Sequence, residues 1–243
     1  MRAIFHIFSV VAVVAALAVS ATEAKPRQTP AEKSPAETLL KEAHTLSLKG
    51  DFDGAYQKLD AALQADPKFW QAIYLRAELH FQQHRYESTE QDCAEILRIK
   101  PDQVVAALLR AQADTKLGRE DECLRELDQV ISKGNKKDLI PLVTAYEMRA
   151  WLRATSRDPS IRNGKQALTD AKQACKLSHN NDSQSLDTLA AAYAEVGDFE
   201  AAVEAEDRAI NAQLVSDEFN IPTENIFQKH RASFQAHQPI RDQ

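Results

Sequence analysis

The chain has 243 residues, with 30 lysines and arginines, 36 aspartates and glutamates, and a formal net charge of −6. Neither sign of charge forms a long block and no basic stripe is present, so we expect no nucleic-acid partner. The length alone allows one or two ordinary domains, and the internal spacing of residues therefore has to decide the architecture.

The first residues have the layout of a secretory signal peptide. Residues 4–19 are apolar except for His6 and Ser9, and they are followed by the small residues Ser20, Ala21 and Ala24. We predict a signal peptide over residues 1–24 and export to the periplasm or cell envelope, with no membrane insertion after cleavage. Two alternatives stay open: full secretion, and an uncleaved membrane anchor. The apolar run is shorter than the roughly 20 residues that span a bilayer.

Residues 25–35 contain three prolines among polar and charged neighbours, which indicates a flexible leader before the folded part. The first helix pair is predicted over 36–48 and 52–65, with a glycine turn at Gly50 and with Pro67 after the second helix. The second pair is predicted over 70–83 and 86–99, with His84 at the turn, and the third over 104–117 and 120–132, with Gly118 at the turn.

Similar residues recur every 34 positions along these pairs, as in Ala43, Ala77 and Ala111, or in Phe52 and Tyr86. A fixed period of this length predicts a stack of helix pairs, each unable to bury its apolar face alone. The first three repeats are therefore predicted over 36–69, 70–103 and 104–137.

The register changes after residue 138. Ala150 and Ala190 continue the alanine series, but Ala190 lies 79 residues after Ala111, which is two periods plus 11 residues. We place the extra residues in loops at 138–142 and 155–164 and near Asp182, as insertions in repeat proteins usually are. This predicts a fourth repeat over 143–181 and a fifth over 183–216. The segment 217–243 is then a capping helix with a tail, whose apolar side is formed by Ile226, Phe227 and Phe234.

The pattern resembles the tetratricopeptide repeat, with a small residue midway along the first helix, a glycine turn, a following aromatic and a closing proline. The matching residues in the first repeat are Ala43, Gly50, Phe52, Ala55, Ala62 and Pro67, and those in the last are Ala190, Tyr193, Gly197, Phe199, Ala202 and Ala209. The resemblance covers about 36–214. It implies an all-α fold, a right-handed α-α superhelix (a tetratricopeptide-repeat solenoid) of about five helix pairs.

A narrower resemblance lies in residues 150–155, 162–165, 174–177 and 186–193, and in the tail Pro239-Ile240-Arg241. These stretches are similar to exported tetratricopeptide-repeat proteins of planctomycete-type bacteria. The similarity implies a bacterial envelope protein. It does not imply a particular biochemical function, because the family has little agreed function.

In such a fold the first helices line a concave groove, so residues at the repeat spacing form rows along it. The mixture of apolar and polar residues in these rows is typical of peptide recognition. Tyr74 and Phe81 stand out because they share a helix face and no core row requires an aromatic there. The predicted groove residues are Leu40, His44, Tyr74, Glu78, Phe81, Leu108, Gln112, Glu147 and Trp151.

We therefore predict a non-enzymatic scaffold or adaptor that binds a peptide or protein segment in the groove. The alternative is a structural envelope subunit that self-associates through its ends to form a homo-oligomer, using the apolar side of the last helix. No nucleophile elbow, phosphate loop or Cys-x-x-Cys motif is present. We therefore expect no catalytic residue and no cofactor. We also expect no metal site: His80 and His84 are spaced four apart, as metal ligands on a helix can be, but His84 is needed at a turn.

Three cysteines remain after processing, Cys93, Cys123 and Cys175, and each is in register with a packing position. They are predicted to be small buried side chains. A bridge between Cys93 and Cys123 is left open, because sequence does not supply the geometry that a disulfide requires.

Overall fold

The computed structural model describes residues 34–134, 138–215 and 221–241. Eleven helices and no strand occur within these ranges. The predicted signal peptide and most of the leader lie outside the described residues, as do residues 135–137 of the third repeat and 216–220 before the last helix. None of the described helices combines the length and the apolar character needed to cross a membrane.

The helices follow the predicted order, and most bounds agree to within about two residues, which is the usual uncertainty of helix ends. They are α1 (Pro35–Leu48), α2 (Phe52–Ala65), α3 (Trp70–Gln82), α4 (Tyr86–Ile99), α5 (Val104–Lys116), α6 (Glu120–Lys133), α7 (Leu139–Thr155), α8 (Gly164–Leu177), α9 (Ser183–Glu195), α10 (Phe199–Val215) and α11 (Ile221–Gln235).

The chain divides into two compact units between Arg119 and Glu120. Unit 1 contains α1 to α5, and unit 2 contains α6 to α11. The division falls inside the predicted third repeat, so that its two helices belong to different units.

Several helices begin at a side chain that accepts a hydrogen bond from the first turn. Asp51 accepts from the Gly54 amide at 3.0 Å, and Asn163 accepts from the Gln166 amide at 3.1 Å. The amides of a first turn have no partner within the helix, so these side chains satisfy donors that would otherwise be left free.

The turns between paired helices need a left-handed residue, and glycine supplies it at low cost. Gly50, Gly118 and Gly197 have φ values of 77°, 72° and 85°. His84 takes the same conformation with φ 60°, which confirms the predicted turn position. Its Nδ1 lies 2.7 Å from the Tyr86 hydroxyl oxygen, so this histidine has a local structural role.

Unit 1 is packed around small side chains at the repeat spacing. Ala43 and Ala55 are fully buried in one cluster with Leu59, and Ala77 is fully buried in a second cluster with Ile96. Because alanine leaves room for backbones to approach, neighbouring helices lie close together and the larger side chains fill the gaps.

Unit 2 contains a large buried cluster that includes Ala150 and Ala190, the alanines that continue the series after the register change. Phe227 and Phe234 of α11 are fully buried in the same cluster. Burying each ring contributes on the order of 2–3 kcal/mol, so the last helix is held against its own unit.

The lengthened loop after α7 is ordered by its own hydrogen bonds. Ser156 Oγ donates to Glu120 Oε2 at 2.6 Å, and the Arg162 guanidinium donates to the Ser156 carbonyl at 2.7 Å. Arg162 Nε also lies 3.3 Å from Glu195 Oε1. These contacts give Arg162 structural partners within unit 2.

An ion pair joins the first helix to the second in three of the helix pairs. In each case the partner on the first helix comes directly before the alanine that recurs at the repeat spacing. The pairs are Glu42 with Lys58, Arg76 with Asp92, and Arg149 with Asp170, with N–O distances of 2.7, 2.6 and 2.7 Å.

Candidate functional site

The nine residues predicted to line a groove fall into two groups by burial. Four are half-buried and present surface to solvent: Leu40 and His44 on α1, Phe81 on α3 and Gln112 on α5. Five are buried: Tyr74, Glu78, Leu108, Glu147 and Trp151. The half-buried group lies entirely in unit 1. Contact with a partner stays a prediction for all nine, and the buried five have structural contacts of their own.

Tyr74 is a core residue. The prediction that no core row takes an aromatic at this position is wrong, because Tyr74 packs with Ile73 and Ile96 in a buried cluster. Phe81 lies at the margin of that cluster and meets Tyr86 edge to face, with ring centroids 5.3 Å apart. Of the two aromatics singled out from the sequence, Phe81 is therefore the one that reaches the surface.

Glu78 is a buried carboxylate in the same helix. The Tyr74 hydroxyl hydrogen-bonds to it, but its Oε1 atom has no partner within the described structure. Burial raises the pKa of Glu78 from 4.5 to about 7, and the Tyr74 hydrogen bond opposes this rise only in part. Glu78 therefore makes the stability of unit 1 depend on pH.

Glu147 forms a buried polar network in unit 2. Ser185 Oγ donates to Glu147 Oε1, and Ser178 Oγ donates to Ser185 Oγ at 3.2 Å. Burial, followed by the nearby charge of Asp182, raises the pKa of Glu147 well above its usual range. These contacts tie α7 to α9 and leave Glu147 little surface for a ligand.

Trp151 lies beside a group of titratable residues that no sequence motif had indicated. Its ring is 5.7 Å from the ring of His230, between centroids, and His230 Nδ1 lies 2.7 Å from Asp187 Oδ1. Glu206 completes the group: Asp187, Glu206 and His230 each offer a donor atom, and all three atoms lie within 4.8 Å of one another. The three residues come from α9, α10 and α11, with no short-range spacing that could have identified them.

The cysteines are free and buried, as small packing residues are. Burial raises the pKa of Cys175 to about 12 and that of Cys93 still further, so neither thiol is a reactive nucleophile near neutral pH.

The aromatic side chains of the last helix do not form an exposed apolar side. Phe227 and Phe234 are buried in their own unit, and Ile226 is half-buried. Self-association through these two rings would require α11 to leave its packing position.

Comparison with known proteins gives a family-model match over part of the chain. Residues 46–91 match the family model of the tetratricopeptide repeat. No curated protein is significantly similar to the chain.

Solved structures share the fold at low sequence identity. A thermophilic tetratricopeptide-repeat protein of Thermus thermophilus is 16% identical, with a TM-score of 0.55, and the match covers 83% of this chain and 99% of that one. A tetratricopeptide-repeat protein from Parabacteroides merdae is 14% identical, with a TM-score of 0.64 and coverage of 84% and 73%. YrrB, described as having an unusual peptide-binding site, is 18% identical, with a TM-score of 0.55 and coverage of 74% and 87%.

These similarities confirm the fold class predicted from the sequence, an all-α tetratricopeptide-repeat solenoid built from helix pairs. The family model supports the tetratricopeptide resemblance for residues 46–69 of the first predicted repeat and 70–91 of the second. A fold of this kind is consistent with a protein–protein interaction scaffold.

Proposed function

We propose that this protein is a non-enzymatic scaffold that binds a peptide or an extended protein segment along the first helices of unit 1. The observation that carries the proposal is the half-buried row on α1, α3 and α5. It combines the apolar Leu40 and Phe81 with the hydrogen-bonding His44 and Gln112. Repeat proteins commonly use their first-helix face in this way, because its side chains recur at a fixed spacing along a rigid support.

The chemistry of this row favours a partner with apolar side chains separated by polar ones. The Phe81 ring, already held by its edge contact with Tyr86, offers rigid apolar area at small entropic cost. His44 and Gln112 can donate or accept hydrogen bonds, and so can set the register of a bound backbone. No charged side chain belongs to the half-buried group, so the partner segment need not be strongly charged.

A capture experiment tests the proposal. The native chain and a Phe81→Ala, Gln112→Ala variant are immobilised and incubated with envelope proteins, and the captured proteins are identified by mass spectrometry. A partner retained by the native chain and lost by the variant supports binding through this row. The matched control is Phe52→Ala, which removes another half-buried phenylalanine, from α2. Equal capture by all three proteins contradicts the proposal.

We further propose that the chain is exported before it acts. The support is the sequence of residues 1–24, with an apolar run followed by small residues. The intact mass of the protein recovered from its native cells tests this, because cleavage after Ala24 leaves a chain beginning at Lys25. A mass that includes Met1 would contradict cleavage, and recovery from the cytoplasm would contradict export.

A further inference from the structure

Unit 2 contains a compact group of metal-ligating side chains from three helices. Asp187 on α9 and Glu206 on α10 are fully buried, and His230 on α11 is half-buried. One donor atom from each residue lies within 4.8 Å of the other two. In a tetrahedral zinc site with bonds of about 2.0–2.1 Å, ligand atoms are separated by about 3.3 Å, so only small side-chain shifts are needed to bring the three atoms onto one ion.

Glu206 supplies an independent sign that something is bound here. Both of its carboxylate oxygens are buried, no donor within the described structure hydrogen-bonds to them, and the side chain facing them is the Asp187 carboxylate. The neighbouring charges of Asp187 and Asp207 are both negative, so they repel rather than compensate the carboxylate. A buried carboxylate without a hydrogen-bond donor is costly, and such groups in native proteins are usually paired or bound to a cation.

A second ion pair lies beside the group. Arg231 and Asp207 follow His230 and Glu206 in sequence, and Arg231 Nε lies 2.5 Å from Asp207 Oδ1. This outer pair joins α10 to α11. The Trp151 and Phe234 rings flank the imidazole, with centroid distances of 5.7 and 6.4 Å, and limit its reorientation.

We propose that Asp187, Glu206 and His230 bind one zinc-like divalent metal ion, which fastens α11 to α9 and α10. Two carboxylates and a neutral imidazole balance the double positive charge of the ion, which removes the unpaired charge at Glu206. Imidazole favours zinc and other transition metals over magnesium and calcium, which prefer oxygen ligands alone. Three protein ligands leave a fourth position for water on a tetrahedral ion.

Binding also changes the contact between His230 and Asp187. The Nδ1 atom that faces Asp187 must carry no proton if it is to donate its lone pair to the metal, so the metal-bound neutral imidazole has its proton on Nε2. The competing arrangement is a proton on Glu206, shared with the Asp187 carboxylate, which would satisfy the pair without any metal.

Zinc binding to the full chain, carrying no affinity tag, tests the proposal. Competition with a chromophoric chelator measures affinity and stoichiometry for the native protein and for the Glu206→Gln and His230→Asn variants. We expect one tightly bound equivalent for the native chain, and an affinity lower by at least about 100-fold for each variant. The matched control is His84→Asn, which removes a histidine from unit 1 at a position where asparagine tolerates the positive φ, and it should bind zinc as the native chain does.

A second measurement does not depend on the variants folding. In the native chain, zinc titration should shift the imidazole nitrogen resonances of His230 in a two-dimensional NMR spectrum and leave those of His84 unchanged. The proposal is overturned if excess zinc does not bind or if the variants bind as tightly as the native chain. It is also overturned if the His230 resonances do not move. If the native chain does not respond to zinc and the Glu206→Gln variant is equally stable, the proton shared between Glu206 and Asp187 takes the place of the metal ion.

Discussion

Replacing Glu78 by glutamine should stabilise unit 1 at alkaline pH and leave it unchanged at acidic pH. The side chain is 7% exposed, and burial raises its pKa from 4.5 to about 7 in the folded protein. Below pH 4.5 the carboxyl is protonated in both the folded and the unfolded chain, so it does not favour either state. As the pH rises from 4.5 to about 7, the unfolded chain loses its proton first, and the folded state becomes progressively less stable.

The magnitude follows from the same pKa shift. At about 1.4 kcal/mol per pH unit, the interval between pH 4.5 and about 7 corresponds to about 3 kcal/mol of stability lost by the native chain above pH 7. Glutamine is neutral at every pH and has the same shape as the protonated carboxyl. The Glu78→Gln variant should therefore be more stable than the native chain by up to about 3 kcal/mol at pH 8, and by nearly nothing at pH 4.

Urea unfolding followed by tryptophan fluorescence measures this difference. The chain has two tryptophans, Trp70 on the same helix as Glu78 and Trp151 in unit 2, so a Trp151→Phe background makes Trp70 the reporter of unit 1. The control is Glu87→Gln, which removes an exposed carboxylate from α4 and should give no difference that depends on pH. A stability difference between Glu78→Gln and the native chain that is the same at pH 4 and pH 8 would refute the reasoning.

Two further predictions concern unit 2. Asp170, with only 2% of its side chain exposed, binds Arg149 and Arg153. Asp128, 52% exposed, binds only Arg149 among the described residues. Asp170→Asn should lower the free energy of unfolding by about 3 kcal/mol, because it removes the buried charge that pairs with both arginines. Asp128→Asn should lower it by less than about 1 kcal/mol, because Asp128 is exposed. Equal losses of stability in urea unfolding would contradict this prediction. Phe234→Ala removes a fully buried ring and should cost about 3–5 kcal/mol, with α11 becoming the first site of limited proteolysis. The control is Gln235→Ala, which changes an exposed residue at the end of the same helix and should leave resistance to proteolysis at the native level. If Phe234→Ala is instead cleaved first outside α11, the Phe234 ring does not hold that helix in place.

The helix pairs could be predicted from the sequence because every level of the pattern agreed. The alanine spacing, the turn glycines and the closing prolines all indicated the same boundaries, and His84 was assigned to a turn although it is not a glycine. The lengthened loop predicted at 155–164 is confirmed, since α7 ends at Thr155 and α8 begins at Gly164. The loop predicted at 138–142 is wrong, because α7 begins at Leu139 and takes up residues 139–142. Local propensity and repeat spacing suffice for this level of structure.

Burial within the proposed groove could be predicted only in part. Leu40, Tyr74 and Leu108 occupy one row that is apolar in all three repeats, yet Tyr74 and Leu108 are buried whereas Leu40 is half-buried. Glu78 shares a row with the half-buried His44 and Gln112, and nothing in its local sequence distinguishes its deeper position. Burial of one member of a row depends on the neighbouring helices, which the spacing alone does not describe.

The ion pairs and the metal-ligating group differ in how far sequence could have found them. Glu42 and Lys58, and likewise Arg76 and Asp92, are opposite charges 16 residues apart, a regular signal that predicts a contact between paired helices. Asp187, Glu206 and His230 are separated by 19 and 24 residues on three different helices. Only the packing of α11 on α9 and α10 brings them together, so their proximity required the structure.

Site-specific photocrosslinking tests the central claim, the binding of a protein segment to the first-helix row of unit 1. A photoreactive amino acid replaces Gln112 on α5, which lies in the row, and in a second protein it replaces Glu87, which is exposed on α4. Both proteins are illuminated with native envelope extract, and the crosslinked products are identified by mass spectrometry. The account predicts a discrete crosslinked partner from position 112, suppressed by the Phe81→Ala substitution, and none from position 87. The same products from both positions, or none from position 112, would contradict it.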